Sequence, residues 1–240
     1  METPAIKIHY NVHVLRDDLL EGGTKSVLMK HMDKPHIKEF VYASPVYGGF
    51  QVAISAYCKK VGKRATIFCA KRNVKHPNTL KCLEYGANVI EVDYGYLSVV
   101  EKKAREYSLN KEGVHKIIFG AKTEENKKIL GQRIKYVLDY VKPDEIWCAI
   151  GSGLLVSAIM ENILPNMRVY GVQVGADVDF IHDNLTIIKY PKSFDKESKL
   201  KIEFPSMPNY DLKAFELCLK HNKAKQQRKG TGKVLFWNVL

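Results

Sequence analysis

Short apolar runs recur along the chain, and a helical pattern follows nearly every one. Residues 40–44 (FVYAS) read as a buried strand. A Gly-Gly turn and a helix follow, with Val52, Ala56 and Lys59 on one face and Gly62 as C-cap. Residues 65–70 (ATIFCA) predict a second strand, and the segment after Pro77 a short helix stopped by Gly86. Residues 88–93 and 115–120 predict two more strands, separated by the amphipathic helix YLSVVEKKAREYSLN. The next helix, TEENKKILGQRIKYVLDYV, opens at Thr123 in the manner of a capping box, with acidic residues in its first turn. Residues 145–150 (EIWCAI) and 168–175 (RVYGVQVG) predict a fifth and a sixth strand. Between them Gly151-Ser152-Gly153 leads into an apolar helix.

This rhythm fades over residues 176–209, where loop is expected, with weak strands in LTIIKY and KLKIEF. It resumes with the helix YDLKAFELCLKHN and a buried strand, KVLFWNVL. Strands alternating with helices require crossover connections, hence an α/β fold built on mostly parallel sheet. No internal repeat or low-complexity tract interrupts it.

Composition narrows the class. The 240 residues are 45% hydrophobic and 27% charged, which excludes a wholly disordered chain. No apolar run approaches the ~20 residues of a membrane-spanning helix. The opening METPAIKIHYNVHVLRDD lacks the apolar centre of a secretory signal, so a cytoplasmic protein is expected. Five scattered cysteines (58, 69, 82, 148, 218) without a C-x-x-C pair imply reduced thiols and no zinc ribbon; no metal is expected. The unusual number is charge: 38 Lys+Arg against 26 Asp+Glu give +12. That points either to a polyanionic partner or to a solvated lysine surface.

Four local features carry candidate chemistry. In RDDLLEGGTKS, Lys25 follows a Gly-Gly pair at a helix start. A lysine held near a backbone-lined pocket loses basicity and can join a carbonyl cofactor; an exposed lysine after a turn is the plainer reading. In AIGSGLLVSAI, a strand, a Gly-x-Gly turn and a helix start present unpaired amides suited to phosphate, although many such turns serve packing alone. In YASPVYGGFQVA, the glycine-rich amides with Ser44 and Gln51 suit a carboxylate; otherwise this is a tight turn with a half-buried Tyr47. In MPNYDLKAFELC, Tyr210 opens a helix and is core or rim by default.

Taken together and in this order, the four resemble the fold type II pyridoxal-phosphate enzymes, the tryptophan-synthase-β-like group. The nearest branch is that of 1-aminocyclopropane-1-carboxylate deaminase and D-cysteine desulfhydrase. That branch has K-R-D-D-L…G-G-N-K where this chain has LRDDLLEGGTK, which makes Lys25 the match to its Schiff-base lysine. Its Ser-Asn-His…Gln loop corresponds to Ser44…Gln51, its G-A-x-V to GANVIEV and its glycine-rich phosphate cup to GSGLL. Its D-P-V-Y-T-G-K-A corresponds to MPNYDLKA, and its terminal V-L-F-x-H-T-G-G to VLFWNV.

The resemblance implies a three-layer parallel sheet, with residues 37–121 forming a smaller α/β domain inserted in a larger cofactor-binding domain of residues 1–36 and 122–240. It implies pyridoxal 5′-phosphate as cofactor, a PLP-dependent lyase (decarboxylase, eliminase or deaminase) acting at Cα of an amino-acid group, and a homodimer. Lys25, Tyr210 and Tyr47 become the catalytic candidates. Lys25, Gly151, Ser152, Gly153, Leu154, Leu155 and Asn238 become the cofactor set. Ser44, Tyr47, Gly48, Gly49 and Gln51 become the substrate set.

The departures are specific. Leu154-Leu155 replace Gly-Thr in the cup, SPVYGGF lacks the family's Asn and His, and Val239 replaces the threonine that faces the pyridine nitrogen. Family members are also typically longer. The basic residues fall on the C-terminal segment (Lys213, Lys220, Lys223, Lys225, Arg228, Lys229, Lys233) and after the substrate loop (Lys59, Lys60, Lys63, Arg64). Some bacteriophages trim amino acids attached to thymine in DNA with enzymes of this cofactor. By analogy, charge and altered loop favour an amino-acid group carried on DNA, in a host cytoplasm. The alternatives are a lyase or deaminase of a free small amino acid, and a non-catalytic binding relative of the same fold.

Overall fold

A computed structural model describes residues 3–93, 95–175, 177, 181–227 and 232–239. The chain opens with β1 (Ile6–His9) and β2 (Val12–Arg16), an antiparallel hairpin absent from the sequence expectation. Its loop residues Tyr10 and Asn11 have φ of 53° and 60°, the type I′ turn that suits strand twist. The next elements are α1 (Ser26–Met32), β3 (Glu39–Ala43), α2 (Phe50–Val61), β4 (Arg64–Ala70), α3 (Pro77–Glu84), β5 (Asn88–Val92), α4 (Leu97–Ser108) and β6 (Val114–Ile117). The last are α5 (Glu124–Val141), β7 (Glu145–Ile150), α6 (Leu154–Met160), β8 (Arg168–Gln173), β9 (Leu185–Lys189), α7 (Asp211–Gln227) and β10 (Val234–Asn238).

Two compact units result, residues 1–20 with 122–240, and residues 21–121. The second interrupts the first along the chain. Residues 21–36, expected in the larger unit, belong to the smaller one. The reason is packing: a β-carbon on Gly22 would lie 2.2 Å from Ala53 Cα, and α1 contacts α2.

The smaller unit carries a parallel sheet in the order β5-β4-β3-β6. Successive strand residues point to opposite faces. Val41, Ala43 and Phe68 therefore pack with Val100 and Ala104 of α4, while Tyr42 meets Phe50 of α2 edge to face at 5.3 Å. Helix, sheet and helix form three layers. β6 ends at Ile117 rather than at residue 120, because Gly120 and Ala121 turn the chain with φ of 64° and 55°.

The larger unit carries the order β1-β2-β10-β7-β8-β9, parallel except at the β1 edge. On one face Val14, Trp147, Val172 and Phe236 pack against Ala214, Phe215 and Cys218 of α7. Burial of each large side chain of this kind contributes about 1.5–3 kcal/mol. On the other face Arg133 of α5 pairs with buried Asp17, which also accepts a hydrogen bond from Trp237 Nε1 at 3.2 Å.

LTIIKY forms β9 as expected, whereas KLKIEF adds no strand among the described residues. Its alternation instead docks Leu200, Ile202 and Phe204 onto the α7 face of the core as irregular backbone. Thr123 caps α5, its Oγ1 accepting from Asn126 N at 3.1 Å; Asn126, rather than Glu or Gln, stands at the third position of the box. All five cysteines are buried and unbridged, and burial pushes the Cys58 and Cys148 thiols up to about 12. No helix of the described residues is long and apolar enough to cross a membrane.

Candidate active site

The smaller unit carries the first group of candidate residues, at a turn. Gly22 and Gly23 adopt φ of 88° and 76°, a region that strains any side chain bearing a β-carbon. They bring the chain tightly against α2 and leave Lys25 at the N-cap of α1. Lys25 Nζ donates to the Gly120 carbonyl at 2.8 Å and lies 5.2 Å from the Phe50 ring centroid. The Gly120 N–H in turn donates to Tyr42 Oη at 3.2 Å.

Although Lys25 as a residue is only half-buried, desolvation around Nζ lowers its ammonium from 10.5 to about 8. Roughly a tenth of the amine is then neutral at pH 7, against a few parts in ten thousand for an ordinary lysine. Tyr42, Phe50 and Gly120 were not anticipated. Their one sequence signal is the glycine that ends HKIIFG, since only such a residue turns the chain there without strain.

At the C-terminal end of β3 stands the loop of Ser44 to Gly49. Ser44 N donates to Phe68 O at 2.8 Å and its Oγ to Pro45 O at 2.9 Å. Gln51, expected to take substrate, is fully buried, and its Nε2 donates to Val46 O at 3.1 Å and Gly48 O at 2.8 Å. Asn78 Nδ2 adds a bond to Gly48 O at 3.1 Å. The amide of Gln51 is thus committed to the loop and shapes it. With the carbonyls drawn towards Gln51 and Asn78, amides near Gly49 and the first turn of α2 remain to face an anion, aided by the helix dipole. Gly48 fits tightly, since a β-carbon there would lie 3.1 Å from Pro45 O. Tyr47 is half-buried, its ring 5.1 Å from that of His76.

In the larger unit β7 runs into Gly151-Ser152-Gly153 and then α6. Gly153 caps the helix with φ of 83°, a conformation open to glycine. A β-carbon on Gly151 would lie 2.8 Å from Tyr210 Cε2, and one on Gly175 3.1 Å from Gly151 Cα. The turn is therefore bare backbone with an aromatic ring against it. Tyr210 Oη donates to Ala149 O at 3.3 Å, and burial, with Asp211 beside it, holds the phenol above its usual range and protonated. Leu154 and Leu155 are buried, so their side chains enter the core while their amides stay at the helix start. That accounts for leucines where the resembled motif has Gly-Thr.

Asn238 is fully buried at the end of β10, its Nδ2 donating to Asp18 Oδ1 at 2.8 Å and to Pro205 O at 2.9 Å. Its Oδ1 is buried without a hydrogen-bond partner among the described residues. Asp18 also receives Arg16 through two 2.8 Å bonds. The Arg-Asp-Asp of the motif therefore knits β2, β10 and α5 together. Val239 is half-buried.

The basic residues are not arrayed as the sequence suggested. Lys213 is fully buried and donates to Ser193 O at 2.8 Å and Phe194 O at 3.2 Å. Lys220 pairs with Glu216 at 2.8 Å, and Lys225 with Glu145 at 2.8 Å. Lys63 pairs with Asp33, and Arg64 with Glu39 at 3.0 Å. Lys59 and Lys60 lie in the last turn of α2, and Lys63 and Arg64 just beyond it, roughly 15 Å from the loop of Ser44 to Gly49 at 1.5 Å per residue. Arg228 and Lys229 lie outside the described residues.

A family-wide profile described as "Pyridoxal-phosphate dependent enzyme" matches residues 26–222. The chain belongs to this family. Pyridoxal phosphate is therefore its cofactor, and the two-sheet plan is the tryptophan-synthase-β-like, type II plan of the family. A search of curated protein sequences returns no match. Among solved structures, an ACC deaminase homologue superposes with a TM-score of 0.79 at 16% identity, over 100% of this chain and 89% of that one. A hydrogen sulfide-producing enzyme from Fusobacterium nucleatum gives 0.74 at 14% identity, over 99% and 94%. Threonine deaminase isoform 2 from Solanum lycopersicum gives 0.71 at 11% identity, over 98% and 78%. Identities this low carry the fold only. The first two matches span most of those chains.

The residues present suit the cofactor of the family. The larger unit has a bare glycine turn at a helix start, where a β-carbon on Gly151 would be blocked. The smaller unit has an amine whose basicity burial has already lowered. At Asn238 a buried acceptor atom has no protein partner among the described residues.

Proposed function

We propose that this pyridoxal-phosphate enzyme is a lyase or deaminase that acts at Cα of a small free amino acid. The observation that carries the reading is Lys25: an amine set by a glycine turn, bonded to Gly120 and brought to about 8 by burial. The matched structures include ones described as a threonine deaminase, a diaminopropionate ammonia lyase, a hydrogen sulfide-producing enzyme, an ACC deaminase homologue and an O-ureido-L-serine synthase.

In this reading Gly151, Ser152, Gly153, Leu154 and Leu155 hold the cofactor phosphate through backbone amides. Lys25 Nζ would hold the cofactor at its aldehyde carbon, and as a free amine it would take or return a proton at Cα. Bound pyridoxal phosphate supplies the electron sink that lets a Cα bond break. The loop from Ser44 through Tyr47, Gly48 and Gly49, braced by Gln51, binds the substrate carboxylate. Tyr210 lies against the glycine turn as a neutral phenol and keeps water from it. Asn238 Oδ1 is the acceptor available in place of the threonine that Val239 replaces.

A free amino acid is favoured over one carried on DNA because the basic residues are dispersed. Lys213 is buried, and Lys63, Arg64, Lys220 and Lys225 are ion-paired. Reconstitution with pyridoxal phosphate, followed by borohydride reduction and peptide mapping, should place the label on Lys25. Lys25→Ala should lose both label and activity. A labelled or active Lys25→Ala enzyme would overturn the assignment. Retention on DNA at low salt, with release of products from amino-acid-modified DNA and not from free amino acids, would favour the DNA-borne substrate instead.

A further inference from the structure

β3 and β4 are parallel neighbours, so the loops that leave their C-terminal ends lie side by side. The first is the carboxylate loop of Ser44 to Gly49. The second, residues 71–77, carries Lys71, Arg72, Lys75 and His76. Between them lies a cavity of about 450 Å³, lined by Val46 and Tyr47 from the first loop and by Lys71, Arg72, Lys75 and His76 from the second. This cavity continues the carboxylate loop into a space of side-chain size.

Its charge is uneven in a useful way. Lys71 pairs with Asp93 at 3.2 Å, and Lys75 pairs with Glu91. Arg72 has no ion pair or hydrogen bond among the described residues. One positive charge is therefore left over, on the side chain whose planar fork best matches carboxylate or phosphate. His76 adds direction. Its Nδ1 accepts from Asn78 N at 3.2 Å, which places the proton of the neutral ring on Nε2. The ring stands edge to face with Tyr47 at 5.1 Å, fixing its plane at the cavity wall.

We infer that this cavity receives the side chain of the substrate, and that Arg72 selects amino acids whose side chain ends in an anion, a carboxylate or a phosphate ester. The inference rests on the proposed function, since it takes the loop of Ser44 to Gly49 as the holder of the α-carboxylate. A small neutral amino acid would leave Arg72 and most of the cavity to water. An anionic end group exchanges that water for a bidentate contact in a concave site, where charge attraction exceeds its value on open surface.

The test uses cofactor-loaded enzyme and matched pairs of each enantiomer: serine with O-phosphoserine, and alanine with aspartate. Binding is read for both pairs from the change in the cofactor's absorbance, and turnover for the serine pair alone from keto-acid release, since alanine and aspartate carry no β-substituent that can leave. The expected result is a tenfold or greater preference for the anionic member of at least one pair in Kd, matched in kcat/KM where that pair is serine and O-phosphoserine. Phosphate and carboxylate are told apart by which pair shows it. Arg72→Ala should bring that ratio towards one, and Arg72→Lys should keep part of it. Asn73→Asp, which adds an anion to the same loop and leaves Arg72 in place, should lower the ratio independently. Equal affinity within every pair, or a preference that survives Arg72→Ala, overturns the inference and leaves the proposed function standing. Protein that binds no cofactor, or loaded protein whose spectrum no amino acid changes, overturns both.

Discussion

Gly151 and Tyr210 are in steric register: a β-carbon on the glycine would lie 2.8 Å from Tyr210 Cε2 and 3.0 Å from its hydroxyl. The ring is packed in turn, so an added methyl must displace it. Gly151→Ala should cost about 1–3 kcal/mol of stability, the usual penalty of overpacking. It should also weaken pyridoxal-phosphate binding by moving the glycine turn. In a Tyr210→Ala background the same substitution should cost much less. A double-mutant cycle on denaturant midpoints reads the coupling, and simple additivity would show that ring and turn are independent.

Lys25 should make the cofactor-free protein less stable. Its folded-state pKa is about 8 against 10.5 for an ordinary lysine, so the unfolded chain holds the proton more tightly. Between those values the unfolded state binds more protons, and stability rises with pH. The penalty is fully present below pH 8. Discounted for the half-buried position of the residue, it amounts to roughly 1–3 kcal/mol. Lys25→Met should therefore be the more stable protein at pH 7, with the gap closing towards pH 10. Urea denaturation of both proteins across that range checks it, and a gap that is flat with pH would refute it.

Asp17 should matter to folding more than to chemistry. It is almost wholly buried against Arg133 and Trp237. Asp17→Ala leaves the buried guanidinium of Arg133 without its carboxylate, a loss of about 3–5 kcal/mol. Chemical denaturation followed by tryptophan fluorescence should show the loss. An unchanged midpoint would mean that Arg133 finds another partner.

Gln51 separates a brace from a ligand. If it holds the loop carbonyls of Val46 and Gly48, Gln51→Glu turns a donor into an acceptor facing acceptors. Stability should fall by about 1–3 kcal/mol and KM should rise together with it. A rise in KM at unchanged stability would return Gln51 to the role of direct substrate ligand.

Much of this protein is legible in its sequence wherever the physics is local. Helix and strand periodicity located β3, β4, β5, β7 and β8, because a strand buried in parallel sheet is a short continuous apolar run. Gly62 ends α2 in a left-handed conformation with φ of 69°, as its position after an apolar helix implied. The Gly-Gly pair before Lys25 and the glycines of residues 151–153 were equally visible, since backbone demands select glycine whatever lies around it. The hairpin of β1 and β2 escaped notice because Tyr-Asn is a weak turn signal, and the alternation of KLKIEF misled because a period of two does not reveal whether a partner strand exists.

What sequence could not decide is where side chains end. It marked Lys213 as surface charge, yet the fold buries it against two carbonyls. It assigned Gln51 to substrate, yet the loop turns its carbonyls onto that amide. It left Arg16, Asp17 and Asp18 as letters of a motif, although they join β2 to α5 and β10. By itself the sequence determined an α/β chain of this family with Lys25 behind a glycine turn, because residue type and near-neighbour spacing carry that information. Only the tertiary structure decided the lowered basicity of Lys25, the hydrogen-bond partners of Gln51 and the unmatched charge of Arg72. Desolvation and hydrogen-bond partners are set by residues distant in the chain, and spacing along a sequence does not encode them.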